Sequence, residues 1–270
     1  MKLDFYKQKN SILLSIFYLT ALILAFINIQ DFGIHIEEKF HRLNGHYWLN
    51  YVAEQFGLVD LQKITEIKIN SIKDYTLSPV SHYNKWGIVL DLPAALIEIL
   101  FNLNDISNIY YIKHFLSFII FLTSSFFFFK ILNKRFDNFY INFLGLFFYV
   151  TSPRILGDSF LYKDVLFLSF FTISLFFFLE AINKLSIKNL IYFSLFNALA
   201  INLRIFAIFL PLFFIFILVI KNFHSNIILK EYRKIIFYTL SLVVFTYIFW
   251  PYLWENPLQK IVELFFSLDY

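Results

Sequence analysis

The chain has 270 residues, of which 59% are hydrophobic, 22% aromatic and only 16% charged, where a soluble domain is about a quarter charged. So little polar surface cannot clothe a water-facing globule, and lipid must form part of the solvent. The net charge of +4 comes from dispersed Lys and Arg, which excludes a basic nucleic-acid stripe, and the lack of cysteine excludes disulfides and thiolate metal sites.

The first predicted element is "SILLSIFYLTALILAFINI" (11–29), an apolar run without a small-x-small cleavage site, which reads as a retained span. A long loop follows (30–109). Within it Trp48, Leu49, Val52 and Phe56 share one helical face opposite Glu54 and Gln55, the pattern of a helix lying at the membrane interface. Trp86, Trp250 and Trp254 are expected to anchor the same plane. The segment "WGIVLDLPAALIEILF" (86–101) carries Asp91, Pro93 and Glu98, which are costly at bilayer depth. It is therefore expected to be a re-entrant or interfacial helix that does not cross.

Further spans are predicted at 110–132, 138–152, 165–182, 189–203, 204–220 and 235–250. The run 189–220, read as one helix, would reach ~48 Å and overshoot the hydrocarbon. The break is placed at Asn202-Leu203-Arg204, where a charge interrupts the apolar residues. The expected fold class is an all-α polytopic membrane protein, residues 1–270 forming one module of about seven spans.

Lys2, Lys7 and Lys9 place the N-terminus in the cytoplasm. The connections "KILNKRF" (130–136), "NKLSIK" (183–188) and "KNFHSNIILKEYRK" (221–234) are all basic, and seven crossings put each of them on that same side. The opposite, outer face then receives the first loop, "SPRILGDSFLYKD" (152–164), the break at Arg204 and "WPYLWENPLQKIVELFFSLDY" (250–270).

Acids and bases accumulate on that face. Asp31, Glu37 and Glu38 lie near the outer end of the first span, and Asp158 and Asp164 near the ends of the third and fourth. Carboxylates gathered over a lipid-facing groove can deprotonate a hydroxyl nucleophile. Arg154, Lys163 and Arg204 can hold a phosphate, Arg as a bidentate fork and Lys as a point charge. The same residues have plainer uses: Glu38 can pair with Arg42 at i,i+4, Asp164 can complement its helix dipole, and Arg154 and Lys163 can meet lipid headgroups.

His35, His41 and His46 share the first loop with Glu37 and Glu38, but their spacing matches no compact helical metal pair. No metal site is predicted and no cofactor is expected to be required, with Mg²⁺ or Mn²⁺ not favoured. No phosphate-cradling glycine loop occurs, which argues against a soluble nucleotide substrate.

Four stretches carry a resemblance: "GIHIEEKFHRLNGHYWLNYV" (33–52), "SPRILGDSFLYKDVLFLSFF" (152–171), "ALAINLRIFAIFLP" (198–211) and "WPYLWENPLQKIVELF" (250–265). Together they resemble the GT-C membrane glycosyltransferases, most of all the bacterial relatives of the dolichyl-phosphate-mannose–protein mannosyltransferases. The aminoarabinose transferases that modify lipid A are more distant relatives. The resemblance implies a large first outer loop with interfacial helices, a seven-span module and a polyprenyl-phosphate sugar donor.

It also implies that an acidic pair, usually Asp-Glu, opens the first loop, its first member acting as base. Here that pair reads Glu37-Glu38. The extra methylene moves the carboxylate by ~1.5 Å, so Asp31 stands as the second candidate. By the same resemblance Asp164 matches the acid before the fourth span, with Lys163 beside it, and Arg204 a phosphate contact. Family members commonly continue for several more spans. A chain ending at "FFSLDY" is thus expected to be a minimal module or the front part of a longer product.

The expected activity is transfer of a sugar from a polyprenyl phosphate to an acceptor hydroxyl at the outer face of a bacterial inner membrane, with inversion. The acceptor is a glycan, a lipid or a protein, and membrane lipids are the remaining partners. Two alternatives stay open at this point. One is a transporter or flippase for a lipid-linked or anionic substrate, and the other is an inactive family member.

Overall fold

The computed structural model describes residues 2–35, 37–72, 87–161, 164–225 and 227–266. The chain is all-α, and no strand occurs among the described residues. Its helices are α1 (Lys2–Asn28), α2 (Glu38–Gln55), α3 (Val59–Ile72), α4 (Asp91–Leu100), α5 (Ile106–Arg135), α6 (Phe139–Thr151), α7 (Pro153–Asp158), α8 (Asp164–Asn183), α9 (Ile187–Leu203), α10 (Phe209–Ser225), α11 (Ile227–Phe249) and α12 (Pro257–Phe266).

Among the described residues five stretches are long and apolar enough to cross a membrane: Asn10–Asp31, Ile106–Arg135, Asp164–Asn183, Ile205–Asn222 and Lys230–Phe249. The remaining two expected spans correspond to shorter apolar helices, Phe139–Thr151 and Ile187–Leu203. At 1.5 Å per residue α6 rises only ~20 Å, short of the ~30 Å hydrocarbon core.

Local chemistry sets these boundaries. Asp105 caps α5 by accepting from Ser107 N–H, Asn138 caps α6 through Tyr140 and Ile141 N–H, and Ser186 caps α9 through Asn189 N–H. Pro153 sits in the first turn of α7 and separates it from α6. Gly57, at φ +66°, takes the left-handed turn between α2 and α3.

The expected break falls where placed. Arg204 is extended (φ −148°, ψ 121°) and a 3-10 turn, Ile205–Ile208, leads into α10. Side chains satisfy the backbone there: Asn197 Nδ2 donates to Ala207 O at 3.2 Å, and Asn202 Nδ2 to Phe249 O at 2.5 Å.

Two ends of the bundle can be told apart by their contacts. At one, Lys134 at the close of α5 pairs with Glu180 near the close of α8, and Lys221 of α10 donates to Ile182 O at 2.7 Å. This end collects the basic connections. At the other, Phe160 stacks on Phe32 (centroids 4.0 Å apart) and on Phe118 (4.7 Å), and Ser117 Oγ donates to Leu161 O at 3.1 Å. A core cluster there joins Trp48 of α2, Ile88 and Leu90, Leu166 of α8, Leu203 of α9, and Trp250 and Leu253. Residues from the first loop, α8, α9 and the segment after α11 therefore share one end.

Two expectations need correction. Trp48 and Leu49 pack into the protein, not into lipid; Phe56 alone of that face stays strongly exposed, because α2 lies on α3 and α4. Trp250 is likewise a core residue and not an interfacial anchor. Trp86 lies outside the described residues. The non-crossing assignment of 86–101 agrees with α4, a helix of ten residues. Gly87 fits against Asn202 so closely that no side chain could stand in its place.

Candidate active site

The first loop folds down onto α5 through buried charge. Glu38 is 2% exposed, a position that an acid holds only when its oxygens are satisfied. Its Oε1 accepts from His114 Nε2 of α5 at 2.8 Å, and its Oε2 from the backbone N–H of His35 at 2.9 Å. Arg42, the partner expected at i,i+4, points instead to Glu98. The reason is geometric: α4 offers a fully buried carboxylate that Arg42 clamps with two hydrogen bonds, at 2.9 Å from Nε and 2.7 Å from Nη2.

Two further carboxylates complete this layer. Glu98, 1% exposed, also meets His46 Nε2 at 3.1 Å and Lys68 Nζ at 3.1 Å. Asp91, also 1% exposed, meets His41 Nδ1 at 3.0 Å and Lys113 Nζ at 3.1 Å. Seven residues separate Asp91 from Glu98, two helical turns, so both acids face the same way from α4. The layer thus bolts α2, α3 and α4 to the start of α5. His41, His46 and His114 each face a different carboxylate, and among the described residues no group is placed to hold a metal ion.

Burial alone would raise the Glu98 carboxyl above its ordinary value of 4.5, but hydrogen bonds from His46 and Arg42 and their charges drive it well below. At Asp91 burial likewise raises, and the charges of Lys113 and His41 outweigh it and lower the value. Both groups have folded-state values below their unfolded ones. Their stabilisation is therefore complete above the ordinary carboxylate range and is lost as pH falls through the folded values. The melting temperature is expected to hold steady with respect to these acids above about pH 5 and to fall in stronger acid. Glu98→Gln should flatten that acid limb in a thermal melt followed against pH.

Above the layer, Glu37 stands at the first turn of α2 with its side chain exposed. Its immobilised neighbour Glu38 fixes where that turn sits. Asp31 ends the 3-10 turn after α1 and is also exposed. Asp164 opens α8, where a carboxylate complements the helix dipole, and its Oδ1 pairs with Nη2 of Arg204 at the α9 break. Both partners remain partly open to solvent. Arg154 is strongly exposed and, among the described residues, pairs with Asp158, four residues on, at 3.6 Å. Lys163 lies outside the described residues.

The structure thus separates roles that the sequence had pooled. It brings Asp164 and Arg204 together, turns Glu38 inward and Glu37 outward, and leaves Arg154 in solvent. The buried layer of Asp91, Glu98, Lys113 and His114 was missed as a unit. Its signal was present: Lys113 and His114 sit inside an apolar run, where an ionisable residue calls for a partner.

No curated protein and no solved structure gives a match to the chain. Residues 92–250 match the family model described as dolichyl-phosphate-mannose-protein mannosyltransferase, a stretch that contains Asp164 and Arg204 and begins downstream of Glu37. With more than half of its length matched, the chain belongs to the dolichyl-phosphate-mannose-protein mannosyltransferase family.

Proposed function

We propose that the chain transfers a sugar from a polyprenyl phosphate to an acceptor hydroxyl at the outer face of a bacterial inner membrane. Glu37 takes the hydroxyl proton, the freed oxygen bonds to the anomeric carbon, and the bond from that carbon to the phosphate oxygen breaks. The anomeric centre inverts in this single displacement. The departing lipid phosphate gains negative charge, which Arg204, together with Lys163, the residue before its partner Asp164 in the sequence, is suited to stabilise. Asp164 holds the guanidinium of Arg204 before the donor arrives.

The observation that carries this reading is the contrast within the acidic pair. Glu38 is sealed by His114 and the His35 N–H, while Glu37, at the first turn of the same helix, is open to solvent. Family membership supplies the reaction class, and the partly exposed Asp164–Arg204 pair at the same end supplies an anion contact. The test uses the chain in phospholipid vesicles with a radiolabelled polyprenyl-phosphate sugar and a panel of glycan, lipid and peptide acceptors. Product formation matched by release of polyprenyl phosphate supports transfer. Donor recovered intact in both leaflets, without product, would mark a flippase instead.

A further inference from the structure

A groove of about 520 Å³ runs between α1, α6 and α7, walled by Ala21, Leu24, Phe147, Val150, Leu156 and Phe160. Its volume lies in the range of small-molecule sites. Among the described residues the lining is almost wholly apolar, with one ionisable group, Asp31, at the end where α1 finishes. Asn28, which also lines it, spends its amide on Leu24 O of its own helix at 2.7 Å. The Asp31 carboxylate takes no hydrogen bond from any described residue. A dry trough closed by one uncommitted carboxylate fits a hydrocarbon chain whose head is polar, and it repels a head that is itself anionic.

The groove also leads to the candidate site. Phe118 and Phe160 form part of its wall. Phe118 lies one helical turn along α5 from His114, which holds Glu38, and Phe160 precedes Asp164 by four residues. A chain lying in the trough would present its head group beside the first-loop acids.

We propose that this groove seats a hydrocarbon chain of the molecule that receives the sugar. The acceptor is then a lipid with a hydroxyl-bearing, neutral or cationic head, and the anionic donor lipid enters by another path. This inference rests on the transfer reading above, and it adds the acceptor class. Asp31 selects the head by charge while Glu37 remains the base.

The test is photolabelling of the full chain in phosphatidylcholine vesicles carrying a trace of diazirine-tailed diacylglycerol or, separately, diazirine-tailed phosphatidic acid. Adducts mapped by mass spectrometry are expected on segments 17–32 and 147–160. The neutral probe should be captured about tenfold more than the anionic one, equivalent to ~1.4 kcal/mol of charge repulsion. Ala21→Trp, which fills the trough from a lipid-facing helix, should remove most of that labelling. Asp31→Asn should bring the two probes level. Equal capture of both probes by the unaltered chain, or labelling unchanged by Ala21→Trp, would overturn the proposal. Labelling is read without turnover, so the two ideas can fail separately. Transfer to a soluble peptide with an unlabelled groove sinks the lipid acceptor alone. Selective labelling without transfer to any acceptor sinks the enzyme reading, and with it the occupant's role as acceptor, leaving the groove as a lipid site.

Discussion

Glu37→Gln is expected to slow sugar transfer by about 10²–10⁴-fold, the usual worth of a positioned general base, while leaving the melting temperature unchanged. The amide keeps the size and shape of the carboxylate but cannot take a proton. Glu37 is exposed at the first turn of α2, outside the buried layer of Glu38, Asp91 and Glu98 that holds the first loop on α5. Glu38→Gln makes the opposite mark. Its two oxygens accept from His114 Nε2 and His35 N–H, and an amide offers one carbonyl oxygen where the carboxylate offered two charged ones. That variant should lose about 1–3 kcal/mol of stability. Its loss of transfer should follow the loss of fold. Parallel melts and initial rates for the two variants check the pair, and a Glu37→Gln enzyme of undiminished rate would remove Glu37 as the base.

The largest stability effect is expected at Lys113. Its ammonium faces Asp91 at 3.1 Å, with Lys113 4% and Asp91 1% exposed. Lys113→Met keeps the apolar stem of the side chain and strips the charge, leaving Asp91 with His41 as its remaining ionic partner. Breaking a buried pair from one side costs about 3–5 kcal/mol, because the stranded charge has lost its compensation. Asp91→Asn in the same chain removes the stranded charge, so the double variant should recover most of the loss. A denaturant titration of wild type, both singles and the double supplies the coupling energy. If the two losses simply add, the pair is not the bolt between α4 and α5.

Much of the architecture was legible because lipid imposes a simple rule: backbone polar groups must be satisfied inside the segment, so apolar length maps to helix. The runs 110–132, 165–182 and 189–203 became α5, α8 and α9, and the break at Arg204 fell at the residue named. Tertiary pairing was less legible. Arg42 had one sequence-local acid, Glu38, and the structure gave it Glu98, fifty-six residues away. The apolar face of α2 offered the same pattern to lipid or to protein. Burial of Trp48 and Leu49 was decided by α4 and the segment after α11, which periodicity within α2 does not contain. In the candidate site, residue types pointed to an acidic pair and a phosphate clamp. Only the three-dimensional structure could distinguish an acid buried on His114 from one exposed at the surface, or show Asp164 engaged with Arg204.

The proposed site requires first-loop and α8 residues to face one body of water, at the end of the bundle remote from the basic connections. The chain has no cysteine, so single reporters carry no background. Glu37→Cys, Asp164→Cys and Lys184→Cys, each in sealed vesicles of uniform orientation, should be challenged with a membrane-impermeant maleimide. Positions 37 and 164 are predicted to react from the same side and position 184 only from the other. Labelling of 37 and 164 from opposite sides would leave the proposed base and its phosphate contact separated by the bilayer, with no shared centre in which to act.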